Sequence, residues 1–242
     1  MIWFLAIAAA LLVGCGDDEL QTPTGNSTTV VTAPSGAWLR LANLSADLSG
    51  AEVRLDGSTH RDRIGYPQVA RYRRLEPGSH SIRFIPSAKR AIDERTVVLD
   101  IVLAIADGEA VTLVAAGLAD TRTLSLTVFR DELAASGEET RLRLINAMSD
   151  FPAPLELWLR AGSPVVSNVL YLEDRGYLAV VRGNYPLELR REGTGGPLVP
   201  VVPYGLAGSA TYTMFAYGTL RKGDLDALLV LDGSLGSVAL RR

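Results

Sequence analysis

The chain has 242 residues, a formal net charge of −3 and one cysteine. Because the charge balance is slightly negative, the composition gives no basis for bulk attraction to nucleic acid, and we expect no nucleic-acid partner. A single cysteine excludes an intramolecular disulfide, so a folded domain must be stabilised by its apolar core.

The first feature along the chain is an uncharged apolar segment, residues 1–14, that ends at Cys15. It is too short to span a bilayer of ~30 Å, but it suits the apolar region of a signal peptide. The small residues before the cysteine form a lipobox, Leu12-Val13-Gly14-Cys15, whose thiol accepts a diacylglyceryl group. We predict a bacterial lipoprotein that is cleaved before Cys15 and held at the cell envelope by membrane lipid. An uncleaved anchor and plain secretion are the alternatives.

The next segment, residues 15–36, is predicted to be a flexible tether. It is rich in Asp, Thr, Ser, Gly, Asn and Pro and has few large apolar side chains. A flexible coil of about 20 residues spans roughly 25 Å on average. Such a segment holds a folded domain clear of lipid headgroups.

From residue 37 onward the sequence is typical of an all-β protein. Short apolar runs are separated by Gly, Pro, Asp and Asn, and no long stripe with a 3.6-residue period occurs. The run Thr96–Ile105 is hydrophobic enough for a helix, but its Val and Ile content favours a strand. The predicted strands of the first half are Trp38–Asn43, Glu52–Leu55, Val69–Arg74, His80–Ile85, Thr96–Ile105, Ala110–Ala116 and Leu124–Phe129. Such closely spaced short strands are typical of a β-sandwich.

The same order of elements returns after about 103 residues, which indicates a tandem repeat. The predicted repeats are residues 37–135 and 136–242, each a β-sandwich. The matching segments are Leu39-Arg40-Leu41-Ala42-Asn43 with Leu142-Arg143-Leu144-Ile145-Asn146, Tyr72–Phe84 with Tyr177–Leu189, Val111–Gly117 with Tyr212–Gly218, and Leu124–Asp131 with Leu225–Asp232.

Three motifs carry a resemblance to a known family. They are Gly108-Glu-Ala-Val-Thr-Leu-Val-Ala-Ala-Gly117, Asn146-Ala-Met-Ser-Asp150-Phe-Pro152-Ala-Pro154-Leu-Glu-Leu157, and Tyr177-x-x-Val180-x-x-Gly183-x-Tyr185. Over residues 37–235 the chain resembles the bacterial domain of unknown function family 4397. The resemblance implies exported, often lipid-anchored, immunoglobulin-like or transthyretin-like repeats in pairs. It carries over no catalytic residue.

Several repeated residues are predicted to have structural roles. Gly78 and Gly183 are expected to lie in hairpin turns that need a positive φ. Tyr72 and Tyr177 are expected to pack against or cap strand ends. Asp47 and Asp150, each in the loop after a first strand, either accept backbone hydrogen bonds in an Asx-turn or supply one oxygen to a calcium ion.

Candidate catalytic residues are few. The chain has two histidines, His60 and His80, and His80 aligns with Tyr185, so that position accepts a flat ring rather than requiring a general base. No zinc-binding spacing and no Gly-x-Ser-x-Gly elbow occurs. We expect no catalytic residue, metal or cofactor, and we keep a hydrolytic enzyme as the third functional hypothesis.

Two surface features predict binding. An arginine cluster, Arg61, Arg63, Arg71, Arg73 and Arg74, either meets an anionic lipid or polysaccharide or is simply solvated. Two rings, Tyr204 and Tyr217, are candidates for stacking on sugars, although strand alternation indicates that part of this aromatic group lies in the core. The sequence thus favours an envelope lipoprotein that acts as a non-catalytic interaction or structural module, with an envelope protein or polysaccharide as partner. A carbohydrate or cell-wall polysaccharide binding domain is the alternative.

Overall fold

A computed structural model describes residues 35–58, 62–87, 98–133, 139–159, 163–199, 202–232 and 239–240. All of these belong to one unit, Val31–Arg242. They form eighteen strands and no helix, which confirms the all-β sandwich prediction. No described segment is therefore a helix with the length and apolar character needed to cross a membrane. The lipobox, most of the tether, His60, Arg61 and the predicted boundary between residues 135 and 136 lie outside the described residues.

The first sandwich consists of two facing sheets. One sheet has the order β4-β1-β8-β9, with β5 pairing beside β4 along β1, and the other has the order β3-β2-β6-β7. β1 and β8 run parallel, and all other pairs are antiparallel. The strands are β1 (Ala37–Asn43), β2 (Gly50–Leu55), β3 (Asp62–Gly65), β4 (Gln68–Val69), β5 (Arg73–Leu75), β6 (Gly78–Ser87), β7 (Leu99–Ile105), β8 (Ala110–Ala116) and β9 (Ser125–Asp131).

The second sandwich has a similar arrangement, in which no described strand takes the place of β4 and β18 is added beside β17. Its sheets have the orders β13-β10-β16-β17-β18 and β12-β11-β14-β15. β10 and β16 run parallel, as β1 and β8 do. The strands are β10 (Thr140–Asn146), β11 (Leu155–Trp158), β12 (Val166–Val169), β13 (Leu178–Val180), β14 (Gly183–Arg191), β15 (Val202–Leu206), β16 (Ala210–Tyr217), β17 (Asp226–Leu231) and β18 (Ala239–Leu240).

Two predicted details differ from the structure. The predicted strand Val69–Arg74 is divided, because β4 ends at Val69 and β5 begins at Arg73. After Ala70, whose N–H still bonds the Leu41 carbonyl, the chain leaves the ladder. The Tyr72 side chain turns toward the space between the sandwiches, where it bonds Asp131. The strand β3 was not predicted, because two of its four residues are charged and it has no apolar run.

The sheets built on β1 and β10 are buried on both faces. Along β8, Val111 and Leu113 contribute to the core of the first sandwich, whereas Val114 and Ala116 face the second sandwich. A strand that is covered on both sides has no polar face, so β8 reads as a nearly continuous apolar run. In the outer sheet, by contrast, β7 alternates between exposed and half-buried positions.

The two central sheets pack against each other through an apolar layer. Its larger members include Leu44 and Phe129 from the first sandwich and Ile145, Phe215 and Tyr217 from the second. Tyr66 meets Tyr217 edge-to-face across this layer, with ring centroids 6.0 Å apart. The molecule therefore has a core in each sandwich and a third apolar cluster between them.

Truncation of Phe215 tests the contribution of this central layer. The ring is fully buried, so Phe215→Ala is expected to lower the free energy of unfolding by about 3–5 kcal/mol. The measurement is denaturant unfolding at equilibrium. Val102→Ala is the matched control, because that side chain is 72% exposed and its loss should change stability by less than ~0.5 kcal/mol. Equal effects of both substitutions would contradict this account of the interface.

Candidate functional site

Four charged side chains are buried between the two sandwiches. Arg40 on β1 and Asp131 at the end of β9 come from the first sandwich. Arg143 on β10 comes from the second, as does Asp232, which directly follows β17. Their side chains are at most 1% exposed. We call these four residues the crossed cluster.

The ion pairs of the crossed cluster connect the two sandwiches. Arg40 Nη1 donates to Asp232 Oδ1 at 2.6 Å, and Arg143 Nη2 donates to Asp131 Oδ1. The arginine of each sandwich therefore pairs with the aspartate of the other sandwich. Each arginine neutralises the carboxylate of the other sandwich, so the buried cluster has no net charge.

Neighbouring side chains hold each charged group in place. Arg40 Nε donates to the Thr112 hydroxyl at 2.8 Å, and its guanidinium lies 4.5 Å from the centre of the Tyr72 ring. The hydroxyls of Tyr72 and Thr112 both donate to Asp131 Oδ2, at 2.7 and 2.5 Å. Tyr177 and Thr213 make the equivalent contacts with Arg143 and Asp232.

Burial and charge pairing act in opposite directions on these groups. Burial disfavours the charged form of Arg40, but the carboxylates of Asp232 and Asp131 outweigh this and raise its pKa. Burial raises the pKa of Asp232, while Arg40 and Arg143 favour its charged form. Burial also raises the pKa of Tyr72 and of Tyr177, so both phenols stay protonated and act as donors.

The charged groups of the crossed cluster bond to one another and to fixed neighbouring side chains. Asp232 accepts hydrogen bonds from Arg40, Tyr177 and Thr213, so its carboxylate is occupied by fixed donors.

The sequence match paired Arg40 with Arg143 and Asp131 with Asp232 but predicted no role for them. The available signal was a charged residue at equivalent positions of otherwise apolar strands. The expectation that Tyr72 and Tyr177 pack at strand ends is confirmed, with a hydroxyl partner that was not foreseen.

His80 is placed to stabilise a turn. Its Nδ1 lies 2.8 Å from Asp56 Oδ2, and its Nε2 lies 2.8 Å from the Glu76 carbonyl oxygen. Both partners are acceptors, so only the doubly protonated ring donates to both. The hydrogen bond to Asp56 is the largest cause that raises the pKa of His80. In the second sandwich, the Tyr185 hydroxyl donates to the Val181 carbonyl at 2.8 Å, which is the equivalent contact.

The two loop aspartates accept backbone hydrogen bonds, as one of the sequence alternatives predicted, but the donors belong to a distant loop and not to an Asx-turn. Asp47 accepts from the Asp120 N–H at 2.9 Å, and Asp150 accepts from the N–H groups of Leu220 and Arg221. Burial disfavours ionisation of Asp47, but these donors outweigh it and lower its pKa. Among the described residues no group of three or more His, Cys, Asp or Glu side chains is arranged to hold a metal ion. Gly78 and Gly183 have positive φ, at 151° and 159°. They begin β6 and β14, where the chain crosses from one sheet to the other, so the prediction that they lie in hairpin turns is wrong.

The predicted arginine cluster is divided by the fold. Arg63, Arg71 and Arg73 line the mouth of a cavity of about 210 Å³ in the first sandwich. Arg74, the next residue on β5, pairs beside Trp38 and packs over Gly36 on the opposite face of the sheet. Arg61 lies outside the described residues. Three of the predicted arginines are therefore brought together at one site.

The proposed sugar-stacking rings are not accessible, which corrects that expectation. Tyr204 is 9% exposed and belongs to the core of the second sandwich. Tyr217 is 6% exposed and lies in the layer between the sandwiches. Since strand alternation turns both rings inward, neither presents a face to a ligand.

A family model described as Domain of unknown function (DUF4397) matches residues 37–153. This part of the chain belongs to that family. The DUF4397 match begins at β1 and ends after β10, so it covers the first sandwich and the second-sandwich strand that carries Arg143. Three members of the crossed cluster fall within it, and Asp232 does not. The resemblance predicted for residues 154–235 stays a prediction. A comparison with curated proteins finds no match to the chain.

The two members of a buried ion pair should not contribute independently to stability. Asp232→Asn removes the carboxylate 2.6 Å from Arg40 and leaves that buried charge only the more distant Asp131, at 3.8 Å. It is expected to lower the free energy of unfolding by about 3–5 kcal/mol. The double variant Arg40→Met/Asp232→Asn should lose less than the sum of the single variants. Chemical denaturation measures all three.

The control pair for this cycle is Arg83 and Asp100. Arg83 Nε lies 2.7 Å from Asp100 Oδ1, and both side chains are more than half exposed. Substituting both by Met and Asn should have little measurable effect. Additive losses for Arg40 and Asp232 would show that they do not act as a pair.

Stability should fall as pH rises through the folded-state pKa of His80. Because that pKa is raised above 6.5, the contribution is complete below 6.5 and is lost at higher pH. Its size should stay below about 1 kcal/mol, since Asp56 is half exposed. His80→Tyr should remove this pH dependence by supplying a neutral donor, as Tyr185 does. Unfolding free energies of both proteins from pH 5 to 9 test it, and identical profiles would contradict it.

Proposed function

We propose that the protein is an envelope lipoprotein of bacteria, anchored by its acylated Cys15, and that it acts as a non-catalytic interaction or structural module. The observation that carries the proposal is the segment Leu12-Val13-Gly14-Cys15 at the end of an uncharged apolar run. A signal peptide of this kind directs export, and the thiol provides the site of lipid attachment. The polar tether that follows allows the sandwiches to meet partners away from the membrane surface.

The arrangement of the described ionisable groups supports a non-catalytic role. A general base needs a free acceptor that reaches a substrate. In the crossed cluster the carboxylates are occupied by fixed donors. Asp47 and Asp150 accept hydrogen bonds from loop N–H groups, and His80 bonds the Glu76 carbonyl in a turn. These residues serve the fold, which favours binding by a rigid surface over turnover.

Metabolic labelling with a radioactive fatty acid tests the anchor. The wild-type protein should carry label and sediment with membranes, whereas Cys15→Ser should lose the label and leave the membrane fraction. Thr22→Ser, in the tether, is the matched control and should behave as wild type. A wild-type protein that is unlabelled and soluble would overturn the anchored function in favour of plain secretion. Protease treatment of intact cells then distinguishes a surface location from a periplasmic one.

A further inference from the structure

The cavity of the first sandwich combines an apolar interior with a cationic mouth. Its walls include Leu39, Val53, Ile64 and Ile82, each at most 4% exposed. At the mouth stand Arg63, Arg71 and Arg73, which are all exposed. Apolar walls with a few convergent polar groups are the usual composition of a small-molecule site.

The opening lies where the two sheets present their edges to each other. On one sheet, Ala70 still donates its N–H to the Leu41 carbonyl of β1, and residues 71 and 72 then leave the ladder between β4 and β5. On the other sheet β3 is the edge strand. The break leaves the small side chain of Ala70 and the long side chain of Arg71 beside the cavity. Access therefore follows from the interruption of the edge strand.

The arginine rim is not required by the fold. The match of Tyr72 with Tyr177 places Gly176 at the position of Arg71 and Leu178 at the position of Arg73 in the second sandwich. The strand that corresponds to β5, which is β13, thus pairs with β10 without these two charges. Arg63 and Arg71 also form no ion pair with another described residue. Glu52, which lies opposite Arg63 on β2, is paired with Arg54 at 2.8 Å.

We propose that this cavity binds the anion of a free single-chain fatty acid. The acyl chain occupies the apolar interior, and the carboxylate meets Arg63 and Arg71 at the mouth. A guanidinium offers paired donors that fit a carboxylate. The volume of about 210 Å³ exceeds the ~150 Å³ apolar cavity that suffices for benzene, so a chain of modest length fits. This deepens the proposed function, on which it rests, by naming the ligand of the module.

Titration with carboxyl-labelled octanoate, followed by NMR, tests the proposal. The full chain is held in nanodiscs of zwitterionic lipid, and protein-free nanodiscs measure partitioning into lipid. Binding should be saturable, and it should tighten about fourfold per added methylene from pentanoate until the cavity is filled. Arg63→Gln and Arg71→Gln should each weaken octanoate binding about tenfold.

Two further variants separate the site from nonspecific effects. Ala70→Leu fills the cavity and should abolish binding while it leaves every arginine in place. Arg74→Gln removes an equal charge on the opposite face and should leave binding unchanged. Unfolding of each variant confirms that the fold is retained.

Several results would overturn the fatty-acid site. They are the absence of saturable binding, octanol binding as tightly as octanoate, an equal loss in Arg74→Gln, or binding only to vesicles that contain anionic phospholipid. If the protein is labelled at Cys15 and sediments with membranes but does not bind octanoate, the ligand is wrong and the anchored function stands. If it binds octanoate but is neither labelled nor membrane-bound, the anchor is wrong and the site stands.

Discussion

The exchange of buried charges between the two sandwiches is the constraint on which the architecture depends. Arg40 pairs with Asp232, and Arg143 pairs with Asp131, in a layer that is otherwise apolar. An apolar layer alone tolerates many relative orientations, because the hydrophobic effect is non-directional. A shifted orientation would break both ion pairs across the interface while the charges stayed buried, at a cost of several kcal/mol. The pairs therefore select one orientation of the central sheets, while the apolar side chains provide most of the attraction.

This division of roles explains why one molecule carries two kinds of central residue. Phe215 and Phe129 remove apolar area from water, whereas the arginines fix the register of the sheets. The tyrosine beside each arginine serves both purposes, since its ring covers the guanidinium and its hydroxyl bonds the carboxylate of its own sandwich. The cluster is thus a network in which no member is satisfied by a single partner.

Sequence patterns predicted the strands well where local chemistry determines them. The alternation and apolar runs located β1, β8 and β9, and the match of Tyr72 with Tyr177 identified equivalent positions. Which aspartate meets which arginine depends on how the two halves dock, and no local pattern records that. The arginine group was visible in the sequence, but its division was not, because it depends on the short edge strands β3, β4 and β5. The alternation of Arg73 and Arg74 along β5 was the one available signal for that separation.

The equivalence of the two central faces has a consequence for how the two sandwiches pair. The first sandwich presents Arg40 and Asp131 on one surface, and the second presents Arg143 and Asp232 in the matching places. A surface that carries both the arginine and the aspartate is complementary to a copy of itself related by a two-fold axis. The interface within this chain thus has the two-fold form of an isologous dimer contact. Because both faces belong to one chain, their pairing does not depend on protein concentration.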